Sequence, residues 1–185
     1  VQTCALPISL LGCLLISTLA LGSEVDMNQS MFKWRADKKI GDGHWGDIKL
    51  KTASVQMNKE KVQTAEFIMD LSSFTVDNLK GDWANKFINH VKSDDFFNVP
   101  KFPTAKLKLD RQTKGNTVNG LLTIKGKTNP VKIDFKQKGK TYTGKLVFDR
   151  TKFGIIYGSG NFFKKLTADK IIKNEVEIDF KVVLK

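Results

Sequence analysis

From Thr104 onward, apolar and polar residues alternate with a period of two, and this pattern restricts the chain to strands with one buried face. Ala105, Leu107 and Leu109 point one way, and Lys106, Lys108 and Asp110 point the other. The alternation returns in Val118, Leu122 and Ile124, then in Val131, Ile133 and Phe135, in Leu146 and Phe148, and in Val176, Ile178, Phe180, Val182 and Leu184. Turn signals separate the runs at Lys114-Gly115-Asn116, Asn129-Pro130 and Lys138-Gly139-Lys140, at the spacing of antiparallel hairpins.

Three further strands are read upstream, over residues 31–38, 48–57 and 62–71. In the second, the apolar parity moves from Ile48 and Leu50 to Ala53, Val55 and Met57, which places a bulge near Thr52. The total is about eight strands, enough for an antiparallel sheet to close on itself and be filled by side chains or hold one small ligand. The fold class is therefore all-β, a single antiparallel barrel. One segment breaks the pattern: Trp83, Phe87, Ile88 and Val91 recur at helical steps after Asp82, so 82–93 reads as an amphipathic helix, N-capped by Asp82, that closes a barrel end. A shorter helical turn is read within 166–172.

The run Ser9 to Leu21 is uncharged and apolar, too short to span a bilayer, and followed by small residues and then Glu24 and Asp26. It reads as the apolar core of a secretory signal peptide with cleavage after Gly22, giving a leader over 1–22 and one domain over 23–185. Residues 1–9 lack the usual basic character and resemble translated sequencing adapter. A lipoprotein cysteine at Cys13 fits less well, because Leu14, Leu15 and Ile16 continue the apolar run beyond it. Cys4 and Cys13 both fall in the leader, so the domain carries no thiol chemistry, disulfide or cysteine-ligated metal.

No charged residue precedes Glu24, so the net charge of +12 belongs to the domain. Its dispersed lysines suit either a solvated outer face or an acidic partner, such as a phosphate head group or an anionic membrane surface in transient contact. Export argues against nucleic acid. The two histidines, His44 and His90, have no H-E-x-x-H spacing, and Gly158-Ser159-Gly160 is not a nucleophile elbow, so neither a metal centre nor an enzyme is expected.

Five motifs occur in order: Asn89-His90-Val91-Lys92-Ser93-Asp94-Asp95-Phe96-Phe97, Phe102-Pro103, Leu122-Thr123-Ile124-Lys125-Gly126, Asn129-Pro130-Val131, and Phe148-Asp149-Arg150-Thr151-Lys152-Phe153-Gly154-Ile155 with Tyr157-Gly158-Ser159-Gly160. Together they resemble the YceI-like family of exported proteins over nearly the whole domain. The resemblance implies an eight-stranded, lipocalin-like barrel in the periplasm or outside the cell, binding a polyisoprenoid such as a quinone or a polyprenyl phosphate, with no cofactor. The alternative is a filled barrel that contacts another envelope component. The oligomeric state stays open, a dimer included.

A tunnel for a prenyl chain needs apolar walls. The inward candidates are Phe67, Met69, Leu71, Leu107, Leu122, Ile124, Phe148 and Phe180. For the polar head at a mouth the candidates are His44, in the glycine-rich Gly41-Asp42-Gly43-His44-Trp45-Gly46, with Arg150 and Tyr157. His44 alternatively makes a structural hydrogen bond across the barrel end, and Arg150 alternatively pairs with Asp149, Asp94 or Asp95.

Overall fold

The computed structural model describes residues 22–113 and 115–185; residues 1–21, where all but the last residue of the expected leader falls, and Lys114 lie outside the described residues. The strands are β1 (Gly22–Ser23), β2 (Met31–Lys38), β3 (His44–Asp47), β4 (Lys49–Asn58), β5 (Lys61–Asp70), β6 (Thr104–Leu109), β7 (Thr117–Ile124), β8 (Lys127–Lys138), β9 (Thr141–Asp149) and β10 (Ile172–Val183), with one helix, α1 (Gly81–Lys92). All neighbours are antiparallel, in the order β1-β4-β5-β6-β7-β8-β9-β10-β2-β3.

The two ends of that order meet through the chain itself. β3 and β4 are halves of one run interrupted at Ile48; the first half pairs with β2 and the second with β5. Ile48 N–H still reaches the Phe32 carbonyl, at 3.0 Å. Lower down, β1 pairs with β4 while Val25 bridges to Leu184 beyond β10, so the first residues of the domain stitch the remaining gap. The sheet thus curls into a barrel. Its ten strands reduce to the eight expected when β3 and β4 are taken as one run and the two-residue β1 is set aside.

The inner faces of the strands carry the core. Phe32, Val55, Phe67, Leu107, Val118, Leu122, Ile133, Leu146 and Val182 are buried in one apolar cluster, as the alternation requires. The register of β4 against β5 slips between Leu50 and Thr52, where the parity change had placed a bulge. A 3-10 turn at Ala168–Lys170 accounts for the helical signal near 166–172.

Two local expectations are corrected. Asn129-Pro130 is not a turn but lies inside β8; the turn is at Lys125-Gly126, whose positive φ angles of 49° and 74° make the tight connection. β9 pairs with β8 only from Asp134 onward, so Pro130 sits where β8 has a strand neighbour on one side, a position that tolerates a missing N–H. The helix begins one residue early, with Lys80 rather than Asp82 at its N-cap and no side-chain cap bond; Asp82 instead sits in the first turn, where its charge favours the helix dipole.

Candidate functional site

The barrel encloses an apolar cavity of about 130 Å³. All eight wall residues singled out from the sequence line it: Phe67 and Met69 on β5, Leu71 in the 3-10 turn that follows, Leu107 on β6, Leu122 and Ile124 on β7, Phe148 on β9 and Phe180 on β10. Alternation puts seven of them there, on the inward parity of their strands, and Leu71 follows the same parity one residue past the end of β5. Gly144 is part of the same wall. A Cβ on it would lie 2.7 Å from the Phe180 ring, so the missing side chain is what lets that ring lie against β9.

One end of the cavity is roofed by aromatic rings. Trp34 packs on Phe74 with centroids 5.2 Å apart, Phe74 on Phe97 at 5.3 Å, and Phe97 on Phe96 at 5.9 Å. Trp34, Phe74 and Phe97 themselves face the cavity. Above them runs α1, whose Phe87 stacks on Trp34 at 5.9 Å with the planes 8° apart and whose Val91 is buried. The Trp34 indole N–H donates to the Thr75 carbonyl, which fixes the ring in place. The helix closes a barrel end as its periodicity predicts, but the rings of Trp34, Phe74 and Phe97 beneath it were not expected. For those rings the local signal is the Phe96-Phe97 pair after the helix.

The three mouth candidates occupy different places around that roof. His44, at the start of β3, lies 4.7 Å from Phe87 and shares a 3.2 Å hydrogen bond between its Nδ1 and Asn78 Oδ1. Asn78 in turn donates to the Gly43 carbonyl, so its oxygen is the acceptor and His44 Nδ1 carries the proton. This ties the segment entering α1 to the β2–β3 hairpin. Tyr157 is half exposed and packs edge-on against His90, at 4.4 Å, one turn further along the same helix.

Arg150 does not stand free at the mouth. It is 1 % exposed, and its Nε, Nη1 and Nη2 donate to the carbonyls of Lys173, Ile155 and Ile172 at 3.0, 2.8 and 3.1 Å. Its guanidinium lies 5.9 Å from the Phe96 ring. Asp149 spends one carboxylate oxygen on Thr151, through both N–H and hydroxyl, and acts on Arg150 only through its field. Burial pulls the guanidinium below its ordinary pKa, partly offset by Asp149, yet an arginine remains charged at any physiological pH. Arg150 is therefore a clamp that fastens the β9–β10 connection by its carbonyls.

The opposite end of the cavity has no such roof. Tyr142 and Phe135 close it with centroids 5.8 Å apart, and burial, aided by Glu60, pushes the Tyr142 phenol above its ordinary pKa, so it stays neutral.

The family model of the YceI-like domain matches residues 24–184. Among solved structures, Burkholderia cenocepacia BcnA is 26 % identical, covers 88 % of this chain and 100 % of its own, and superposes with a TM-score of 0.66. The Campylobacter jejuni YCEI protein, 14 % identical over 75 % of this chain and 84 % of its own, shares the fold with a TM-score of 0.54. No curated protein matches the chain. The barrel with its apolar interior is a lipocalin-like binding fold.

Proposed function

Because this chain belongs to the YceI-like domain family, we propose that it is an exported carrier that shelters part of a long isoprenoid lipid in its barrel and does no chemistry on it. The observation that carries this reading is the cavity. Its wall is apolar throughout, and an isoprenoid chain offers nothing to hydrogen-bond, so transfer from water into such a wall is favourable for every methylene.

The closed interior is comparable to an engineered cavity of ~150 Å³ that holds one benzene. A long chain needs more room. The space is gained at the roof, where Phe74 and Phe97 turn aside and α1 lifts, because these closures are side-chain contacts that rotate without breaking the sheet. The polar head then rests outside, between the His44 side and the Tyr157 side of α1.

An uncharged or weakly polar head, of the quinone type, suits this mouth better than a pyrophosphate. Arg150 already gives its guanidinium to three carbonyls, and Arg35, the other arginine near this end, is paired with Asp37 at 2.9 Å, so neither guanidinium is free to hold an anion bidentately.

Organic extraction and mass spectrometry of protein purified from its native host test the carrier reading; a stoichiometric isoprenoid is expected. Protein free of lipid, together with equal losses of stability for Leu122→Ala with and without added lipid, would mean a filled barrel. Titrating a quinone and a polyprenyl pyrophosphate of matched length at low and high sodium chloride separates the head groups. Quinone binding should hold or strengthen as salt rises.

A further inference from the structure

We propose that the α1 end of the barrel is a docking face for an anionic phospholipid surface, an inference that rests on the carrier reading and states how the lipid is reached. The topology puts three segments at this end: the β2–β3 hairpin over 38–43, the region of α1 over 80–92, and the β9–β10 connection over 154–171. Of the eleven large apolar residues exposed among the described residues, six lie in these segments: Ile40, Trp83, Ile156, Tyr157, Phe162 and Phe163. Trp83 is 72 % exposed and Phe162 54 %.

These rings are not spilled from the core. Trp83 lies one turn before Phe87 and, unlike the packed Phe87 and Val91, stays exposed, and Phe162-Phe163 form the tip of a turn whose N–H groups bond the Ser159 carbonyl. The same segments carry eight lysines against three aspartates. Lys86 lies 5.2 Å from the Trp83 ring centroid, and Lys164-Lys165 follow Phe163 directly.

Tryptophan and phenylalanine interleaved with lysine match a bilayer interface. The rings enter at head-group depth, and the ammonium groups stay among the phosphates. A second copy of this chain fits less well, because two such faces would set lysines against lysines. The docking face and the aromatic roof share one end, so a chain leaving the bilayer meets α1 without crossing water.

Co-sedimentation of the chain, as recovered from its producing cells, tests this with vesicles of phosphatidylcholine alone and of equimolar phosphatidylcholine and phosphatidylglycerol. Binding to the anionic vesicles only is expected, falling as sodium chloride rises. Lys164→Glu with Lys165→Glu should weaken it by more than ~tenfold, at roughly fivefold or more per lysine. Trp83→Ser should weaken it in both low and high salt, whereas Leu121→Ser with Val147→Ser, on the outer barrel wall, should leave it unchanged. In a Trp45→Phe background, brominated lipid should quench Trp83 while Trp34, buried under the helix, is spared.

Binding that ignores the face variants, or no binding, overturns the proposal. So does a face whose substitution dissolves a dimer without altering vesicle binding. Retained lipid in the extraction experiment with no vesicle binding sinks the docking face and leaves the carrier standing; vesicle binding by lipid-free protein does the reverse.

Discussion

The two ends of the barrel are closed by different kinds of bond. At the end away from α1 a single ring pair, Phe135 and Tyr142, is backed by a backbone seam: Asp26 N–H donates to the Val183 carbonyl, Lys185 N–H to the Glu24 carbonyl and Leu184 N–H to the Lys140 carbonyl, while tight turns at Lys59-Glu60 and Gly139-Lys140 join neighbouring strands. At the α1 end the closure is side chain: a run of rings, one helix and the Arg150 clamp. Backbone ladders open only by local unfolding, whereas ring contacts open by changes of rotamer. Two closures on one barrel give it a floor and a door.

The largest test removes the clamp. Arg150→Met strands the buried Ile155 carbonyl and the part-buried carbonyls of Ile172 and Lys173 and should cost about 3 kcal/mol in urea unfolding, since an orphaned buried acceptor costs ~1–3 kcal/mol and a part-buried one less. Hydrogen exchange should rise over 154–173 while residues 183–185 keep their protection; a uniform rise would break the distinction between the ends.

Next comes a pair of glycines with the same backbone demand. Gly158 and Gly139 both have positive φ, 65° and 57°, so alanine costs either of them about 1 kcal/mol or more. A Cβ at Gly158 would also sit 2.9 Å from Ile172 Cδ1, whereas at Gly139 nothing lies within 4 Å. Gly158→Ala should therefore be the more damaging by about a further 1 kcal/mol, measured by thermal denaturation of both. Equal losses would mean that Ile172 has room to give.

Phe87→Ala should cost about 1 kcal/mol through its ring contacts with Trp34 and His44. Its sharper effect is kinetic. Uptake and release of a fluorescent apolar probe should quicken in stopped flow, while an unchanged rate would place the entry elsewhere.

The smallest effect concerns Asp70, whose carboxylate accepts from the Ser72 N–H and hydroxyl and caps the 3-10 turn leading toward the roof. Those bonds hold its pKa below the ordinary carboxylate range. A lowered folded pKa gives stability that is present above the ordinary value and lost as pH falls through the folded one. Asp70→Asn should then be slightly less stable than the parent at neutral pH, and the difference should shrink as the pH falls through the folded pKa. A difference that persists in acid would show that charge is not the cause.

What the sequence made legible divides along the same line. The barrel wall is written in a local code, period-two alternation, so Leu107, Leu122 and Phe180 were readable from their immediate neighbours, as was the slip near Thr52. The door is built from residues far apart in the chain: Trp34, Phe74, Phe87 and Phe97 share no period. Arg150 was misplaced for that reason. Its burial depends on carbonyls more than twenty residues ahead, at Ile172 and Lys173, which no local pattern announces. Asn129-Pro130 misled in the opposite way, because a proline signals a turn locally and only the absence of a β9 partner makes it admissible in a strand.

The seam at the floor sets the order of assembly. Val183 N–H donates to Ser30 Oγ across 153 residues of sequence, and Val25 bridges Leu184 beside it. Closing so long a loop is entropically slow, and every hairpin from β4 to β10 forms from nearer neighbours first. The earliest strands of the domain must wait for the last to be synthesised, so the inner apolar faces stay open to water, and to other chains, until β10 arrives. A chain emerging from a ribosome or a translocon is thus most aggregation-prone just before it is complete, and truncation within β10 leaves an unsealed sheet rather than a smaller barrel.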